Sequence, residues 1–114
     1  VVPKNDFELA GYYRSVDIMI APGTVQHGAP HYPVMEAMAC GTPVVTTGYM
    51  PADADNSWLV PSKDAEAIRR AIQAIVTDER YALRVNRALD AMQLFAWEKA
   101  AGDMVHYFMN SLEP

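Results

Sequence analysis

The sequence has little of several features that mark large classes of protein. Its single cysteine, Cys40, cannot form an internal disulfide, which excludes a disulfide-stapled fold and favours a reducing compartment such as the cytoplasm. Nine lysines and arginines against fourteen aspartates and glutamates give a formal charge of −5, and without a dense basic run we expect no nucleic-acid partner. The apolar runs are far shorter than the roughly 20 residues that a membrane-spanning helix needs.

The first residues carry neither a basic region nor an apolar one, so a secretory signal is not expected. The chain also begins with Val1 rather than methionine. We therefore expect a piece of a longer parent protein.

Short apolar runs alternate with helical patterns along the chain. The runs at 17–22, 43–47 and 57–61 predict buried strands. Apolar residues at helical spacing predict helices around them, with Asp6 and Asp64 as caps. The predicted helices cover 6–16, 32–40, 65–76, about 78–95 and about 97–112. This alternation predicts an α/β fold, a Rossmann-like parallel sheet of three or four strands with flanking helices, in one domain over residues 1–114.

A polar loop at 23–31 separates the first predicted strand from a short helix. In open α/β sheets, ligands bind where such loops follow the carboxyl ends of the strands. The first amides of the helix carry a partial positive charge that suits a phosphate or a sugar hydroxyl. Glu36 lies one turn into this otherwise apolar helix, where a carboxylate needs a hydrogen-bond partner. Spacing alone leaves open whether that partner is a ligand, nearby backbone or solvent.

The segment EAMACGTPVV at 36–45 provides the most specific signal. Together with VDIMIAP before it and WLVPSKDAEAIRRAI after it, this segment closely resembles the group-1 retaining glycosyltransferases of GT-B fold. Phe95-Ala96-Trp97-Glu98 is similar to the opening of that family's C-terminal helix, so the resemblance spans nearly the whole chain. It implies half of the C-terminal, donor-binding domain of an enzyme that transfers a sugar from a nucleotide sugar with retention of anomeric configuration.

The resemblance also implies roles for particular residues. Glu36 matches the second glutamate of the family's motif, which holds the ribose hydroxyls of the nucleotide. Thr42 and Pro43 would shape the floor of the nucleotide pocket. No cofactor, metal or catalytic residue is implied for this piece. The loop and helix start that would meet the donor sugar and diphosphate comprise Gly28, Ala29, Pro30, His31, Tyr32, Pro33 and Val34.

The sequence departs from the family's pattern at one position of the motif. The family's first glutamate precedes the second by eight positions, and here that position is Gly28. His27 and His31 flank it, and either one could hydrogen-bond a sugar hydroxyl, or both could be solvated loop residues. A metal held by these two histidines is disfavoured because no third ligand lies near them in the sequence.

Other expectations concern the parent protein and its partners. The family's N-terminal domain and the cations that neutralise the diphosphate lie outside these residues, so this piece alone should not transfer sugar. We also expect self-association through the exposed edge of the strand at 17–21, and a cytoplasmic or peripherally membrane-associated parent. Two other functions stay open: a degenerate, non-catalytic binding or scaffold domain, and a different GT-B enzyme such as a sugar-nucleotide epimerase.

Several large apolar residues are predicted to pack in the core. They are Met35, Met38, Trp58, Met92, Trp97, Met104 and Met109.

Overall fold

The computed structural model describes residues 2–24 and 30–112. In this part of the chain one parallel sheet forms in the order β1-β2-β3, with β1 at Met19–Ala21, β2 at Val44–Thr46 and β3 at Trp58–Leu59. Met19 pairs with Val44, and Val45 pairs with Trp58. Because all three strands run the same way, the sheet has a carboxyl edge, where every strand ends, and an amino edge, where every strand begins. The predicted fold class is confirmed.

Helices flank the sheet and follow it. None of those in the described ranges is both long and apolar enough to cross a membrane. Their bounds are α1 Asp6–Ser15, α2 Tyr32–Ala39, α3 Ala65–Thr77, α4 Tyr81–Met92, a short 3-10 helix at Gln93–Phe95, and α5 Trp97–Ser111.

Polar caps fix the helix ends, and one predicted cap is wrong. Asn5, not Asp6, caps α1: its side chain accepts a hydrogen bond from the Glu8 amide at 2.8 Å, while Asp6 is already helical. Asp64 caps α3 as predicted, accepting from the Ala67 amide at 2.9 Å. Gly41, which follows the C-cap residue Cys40 of α2, has the positive φ of 75° expected where that helix ends.

The helix predicted over about 78–95 is shorter in the structure. Asp78 has extended backbone at the end of α3, and its carboxylate accepts a hydrogen bond from the Arg80 amide at 2.7 Å. This local bond turns the chain, so that α4 starts only at Tyr81. At the other end, the last turn tightens into the 3-10 helix.

Core side chains pack on both faces of the sheet. On one face α2 and α4 cover Val44, with Met38 and Ala88 among the buried residues. On the other face α3 covers Val45, with Trp58 and Ile75 buried beside it. The two adjacent residues of β2 thus point to opposite layers, as the pleat of a strand requires.

The predicted core is confirmed around the sheet and wrong along α5. Met38 and Trp58 are buried, and Met35 and Met92 are half-buried. By contrast, Trp97, Met104 and Met109 are exposed, with 86% of Trp97 accessible. Among the described elements, α5 has its main contact with the 3-10 helix that precedes it, so its apolar side chains have no layer to pack against.

Candidate functional site

The carboxyl edge of the sheet brings together the segment before α2 and the segment after β2. Pro30 forms a parallel bridge with Met50, and the His31 amide donates to the Met50 carbonyl at 3.4 Å. These bonds hold the start of α2 beside the exit of β2. Of the predicted site residues, Pro30 to Pro33 lie at this edge and Val34 is buried in the core beneath it. His27, Gly28 and Ala29 lie outside the described residues.

His31 occupies the cap position of α2 and has a fixed orientation. Its Nδ1 accepts a hydrogen bond from the Val34 amide at 3.4 Å, and its ring stacks on Tyr49 with centroids 4.4 Å apart. Since Nδ1 is the acceptor, the proton of the neutral imidazole is on Nε2. His31 can therefore offer an N–H donor beside the first amides of α2.

Tyr49 is a residue of this edge that sequence reasoning missed. Its hydroxyl end lies so close to Gly23 that a Cβ at that position would be 1.6 Å from the Tyr49 oxygen. Gly23 lies two residues after the end of β1, and its lack of a side chain makes room for the Tyr49 ring between β1 and His31. The only sequence signal for this packing is a glycine after one strand and an aromatic residue after the next, and it is a weak one.

Thr46 and Thr47 tie the ends of β1 and β2 together at the same edge. The Thr46 hydroxyl donates to the Ala21 carbonyl at 3.0 Å, and the Thr47 hydroxyl donates to the Gly23 carbonyl at 2.6 Å. Tyr32 and Pro33, in the first turn of α2, are exposed beside this edge. The start of α2 is therefore accessible to a ligand, and the strand ends beneath it are held together by hydrogen bonds.

Glu36 is half-buried on the side of α2 that faces α1. The core-facing residues of α2 are Val34, Ala37 and Met38, so Glu36 does not point at the sheet. Its Oε2 accepts a hydrogen bond from the Tyr13 hydroxyl at 2.7 Å. The partner that the sequence left open is thus a side chain of the neighbouring helix, 23 residues earlier in the chain.

Burial, together with the hydrogen bond to the Glu36 carboxylate, raises the pKa of Tyr13 to about 12. An ionised tyrosine beside a carboxylate would place two negative charges side by side. The hydroxyl therefore keeps its proton at any physiological pH and remains a donor.

Thr42 lies apart from the other predicted site residues. It stands just before β2, at the amino edge, with 4% of its surface exposed. Its hydroxyl donates to the Tyr13 carbonyl at 2.6 Å. Because the eight residues of α2 span about 12 Å between the two edges, the structure does not bring Thr42 together with residues 30–34.

A groove of about 610 Å³ opens at the amino edge and is lined by Arg14, Asp17 and Thr42 among others. It lies at the opposite end of the strands from the start of α2. Ligands of open parallel sheets bind at the carboxyl edge. The candidate site is therefore the region around the start of α2, with Glu36 one turn into that helix.

A parallel α/β sheet with an open helix start at its carboxyl edge defines a Rossmann-like protein. The comparison with known families is more specific: the model of the family described as "Glycosyl transferases group 1" matches residues 2–78. The chain belongs to this family, and the predicted resemblance is confirmed.

Individual relatives are glycosyltransferases that are much longer than this chain. It is 29% identical to the D-inositol 3-phosphate glycosyltransferase of Corynebacterium aurimucosum over 96% of its own length and 27% of the relative's. It is 32% identical to the GDP-mannose-dependent α-(1-6)-phosphatidylinositol dimannoside mannosyltransferase of Mycobacterium tuberculosis, over 85% of the chain and 26% of the relative. The chain thus spans about a quarter of the length of these relatives.

A solved structure supports the same fold. Sucrose-phosphate synthase from Thermosynechococcus elongatus superposes with a TM-score of 0.70 at 30% identity. The match covers 90% of this chain and 27% of that one.

Proposed function

We propose that this chain is part of the donor-binding domain of a retaining glycosyltransferase whose donor is a nucleotide diphosphate sugar. The observation that carries the proposal is the Glu36 carboxylate, which lies half-buried in the family's EAMACGTPVV segment with Oε2 bonded to Tyr13. Its other oxygen, Oε1, accepts no hydrogen bond from the described residues, and a carboxylate can accept from both hydroxyls of a ribose diol. The mycobacterial relative is named as GDP-mannose-dependent, which supports a donor of this class.

In this proposal the start of α2 supplies the remaining contacts to the nucleotide sugar. Pro33 has no N–H and the Val34 amide donates to His31 Nδ1, so the Tyr32 amide faces the diphosphate together with the positive end of the helix dipole. His31, with a proton on Nε2, donates to a hydroxyl of the transferred sugar beside the place where the family's first glutamate is replaced by Gly28. Thr42 contributes indirectly, because its hydroxyl holds α1 through the Tyr13 carbonyl.

The complete transferase, in this proposal, is this chain together with an N-terminal GT-B domain that binds the acceptor. The length of the relatives supports this arrangement, since the chain covers 27% of one and 26% of another. The chain alone is then inactive, because it lacks the face that closes over the acceptor. A cytoplasmic location of the complete protein belongs to the same proposal. Peripheral membrane association is an addition to it, supported by the phosphatidylinositol lipid in the mycobacterial relative's name.

A second candidate function is a nucleotide-sugar-binding domain that has lost catalysis. The specific observation in its favour is Gly28, which stands where the family has an acidic residue that touches the transferred sugar. Such a domain would bind the nucleotide without turning over the donor. An assay that measures binding and sugar transfer on the same preparation separates the two functions.

The test is Glu36→Gln in the complete transferase, with GDP and UDP titrated by calorimetry. We expect the affinity for the nucleotide that binds wild type to fall about ten- to a hundredfold, which corresponds to the roughly 1.5–3 kcal/mol of hydrogen bonds to a charged group. The matched control is Glu79→Gln, because Glu79 is an exposed glutamate in the turn between α3 and α4.

The control should bind nucleotide as wild type does. An unchanged affinity in Glu36→Gln, together with a large loss of thermal stability, would make Glu36 a structural residue and remove the proposed ribose contact.

A further inference from the structure

Tyr13 holds the carboxylate on which the proposed function depends. Within residues 2–24 and 30–112, it is the only side chain that hydrogen-bonds Glu36. We propose that Tyr13 is a positioning residue, whose hydroxyl fixes Oε2 of Glu36 so that Oε1 faces the ribose diol of the nucleotide. This role rests on the proposed function, because it presumes that Glu36 receives the ribose.

The tyrosine is itself fixed at two points. Its hydroxyl reaches Glu36 on α2, while its backbone carbonyl accepts from the buried Thr42 hydroxyl at 2.6 Å. That carbonyl lies in the last turn of α1, where carbonyls lack partners within the helix. These two hydrogen bonds attach α1 to both ends of the segment 36–42. The position of the Tyr13 hydroxyl is therefore fixed.

Holding the Glu36 carboxylate in one orientation should strengthen ligand binding for two reasons. The terminal torsion of glutamate is broad, so an untied carboxylate rotates and must be ordered when ligand binds. A ribose diol brings two donors and needs both acceptors at fixed positions to gain both bonds. A donor on Oε2 holds the carboxylate plane before binding and leaves lone pairs on both oxygens.

The Tyr13 hydroxyl can provide this restraint over the whole pH range of function. Its raised pKa of about 12 keeps it protonated, as a donor must be. No charged side chain among the described residues competes for Glu36, because none of the ion pairs in those ranges includes it.

A merely structural bond between α1 and α2 would also explain the contact, and ribose selectivity separates the two roles. The probes are GDP and UDP, each compared with its 2′,3′-dideoxy form, titrated against the complete transferase. The variant is Tyr13→Phe, which removes one oxygen and keeps the ring. Tyr12→Phe is the matched control, since Tyr12 is the preceding residue of α1 with an exposed ring.

We expect wild type to bind the ribonucleotide about ten- to a hundredfold more tightly than its dideoxy form, and Tyr13→Phe to reduce this ratio at least about threefold. The affinity for the dideoxy form should not change. Tyr12→Phe should leave both affinities as they are. Adding Tyr13→Phe to Glu36→Gln should have no further effect on the ratio, because Tyr13 acts through Glu36.

Two results would overturn the inference, and they are distinguishable. If wild type selects the ribonucleotide and Tyr13→Phe keeps the full ratio, with or without a lower melting temperature, Tyr13 is only structural and the proposed role of Glu36 stands. If wild type binds both forms of the nucleotide equally, Glu36 does not receive the ribose, and the proposed contact and the positioning role fail together.

Discussion

At the scale of single residues, Tyr49 determines the shape of the carboxyl edge. One face of its ring stacks on His31, and its hydroxyl end occupies the space that a side chain at Gly23 would need. His31 in turn caps the helix that carries Glu36. A change at Gly23 is therefore transmitted through Tyr49 to the start of α2.

Gly23→Ala should move the Tyr49 ring, because the new methyl group would lie 1.6 Å from its oxygen and within 2.7 Å of two ring carbons. We expect a loss of about 1–3 kcal/mol in the free energy of unfolding, typical of an overpacked site. Chemical denaturation measures it.

Gly102→Ala is the control for an added methyl group, since a Cβ there meets no atom within 4 Å. It should not lower the free energy of unfolding, because Gly102 lies inside α5 and alanine is the better helix former. The double variant Gly23→Ala/Tyr49→Ala should lose less stability than the two single changes added together. Strict additivity would show that the contact between Gly23 and Tyr49 is not close.

The sequence predicted that Glu36 needs a partner but could not say which. The reason is that burial of a carboxylate follows from its own helix, whereas the partner comes from another helix 23 positions away. Tyr13 fits the helical spacing of α1 as an ordinary apolar residue. The resemblance places Thr42, which lies within the motif, at the nucleotide pocket, whereas the structure has it at the amino edge because it precedes β2.

At the scale of elements, β1 is the strand whose free edge matters. Within the described residues the sheet has the order β1-β2-β3, so β1 pairs on one side only. Ile20, in its middle, is 41% exposed. The opposite edge strand, β3, has two residues against three in β1 and offers less backbone for pairing.

We expect the isolated 114-residue chain to self-associate through the β1 edge, because its amides and carbonyls are a template for another strand. Light scattering from micromolar to near-millimolar concentration measures this. Ile20→Lys, which places a charge on that strand, should shift the equilibrium toward monomer. A monodisperse monomer across the range would contradict the expectation.

The order and type of the elements could be predicted from hydrophobic spacing, and their ends only in part. The strands are shorter in the structure than predicted. A short apolar run indicates burial, but it does not show which of its residues form backbone hydrogen bonds to the neighbouring strand. The segment at 78–95 has helical spacing throughout, yet the Asp78 carboxylate bonds the Arg80 amide and delays α4 to Tyr81. Such local competition is not visible in periodicity.

At the scale of the whole molecule, burial depends on which layers meet. The described part of the chain measures 57 × 32 × 29 Å, and the exposed apolar residues of α5 have no layer against them. Helical spacing predicts Trp97, Met104 and Met109 in the core because it shows that a helix has an apolar face. It does not show whether another element packs against that face. For the same reason the sequence predicts a site on α2 without showing that Tyr13 of α1 hydrogen-bonds Glu36.

The central claim is that Glu36 receives the ribose of a nucleotide diphosphate at the carboxyl edge. A crystal structure of the complete transferase with bound GDP or UDP tests it most directly. We predict both ribose hydroxyl oxygens within about 2.5–3.0 Å of the Glu36 carboxylate. The diphosphate should lie at the start of α2, with the Tyr13 hydroxyl still on Oε2. A nucleotide bound elsewhere, for example in the amino-edge groove beside Thr42 with Glu36 untouched, would contradict the claim.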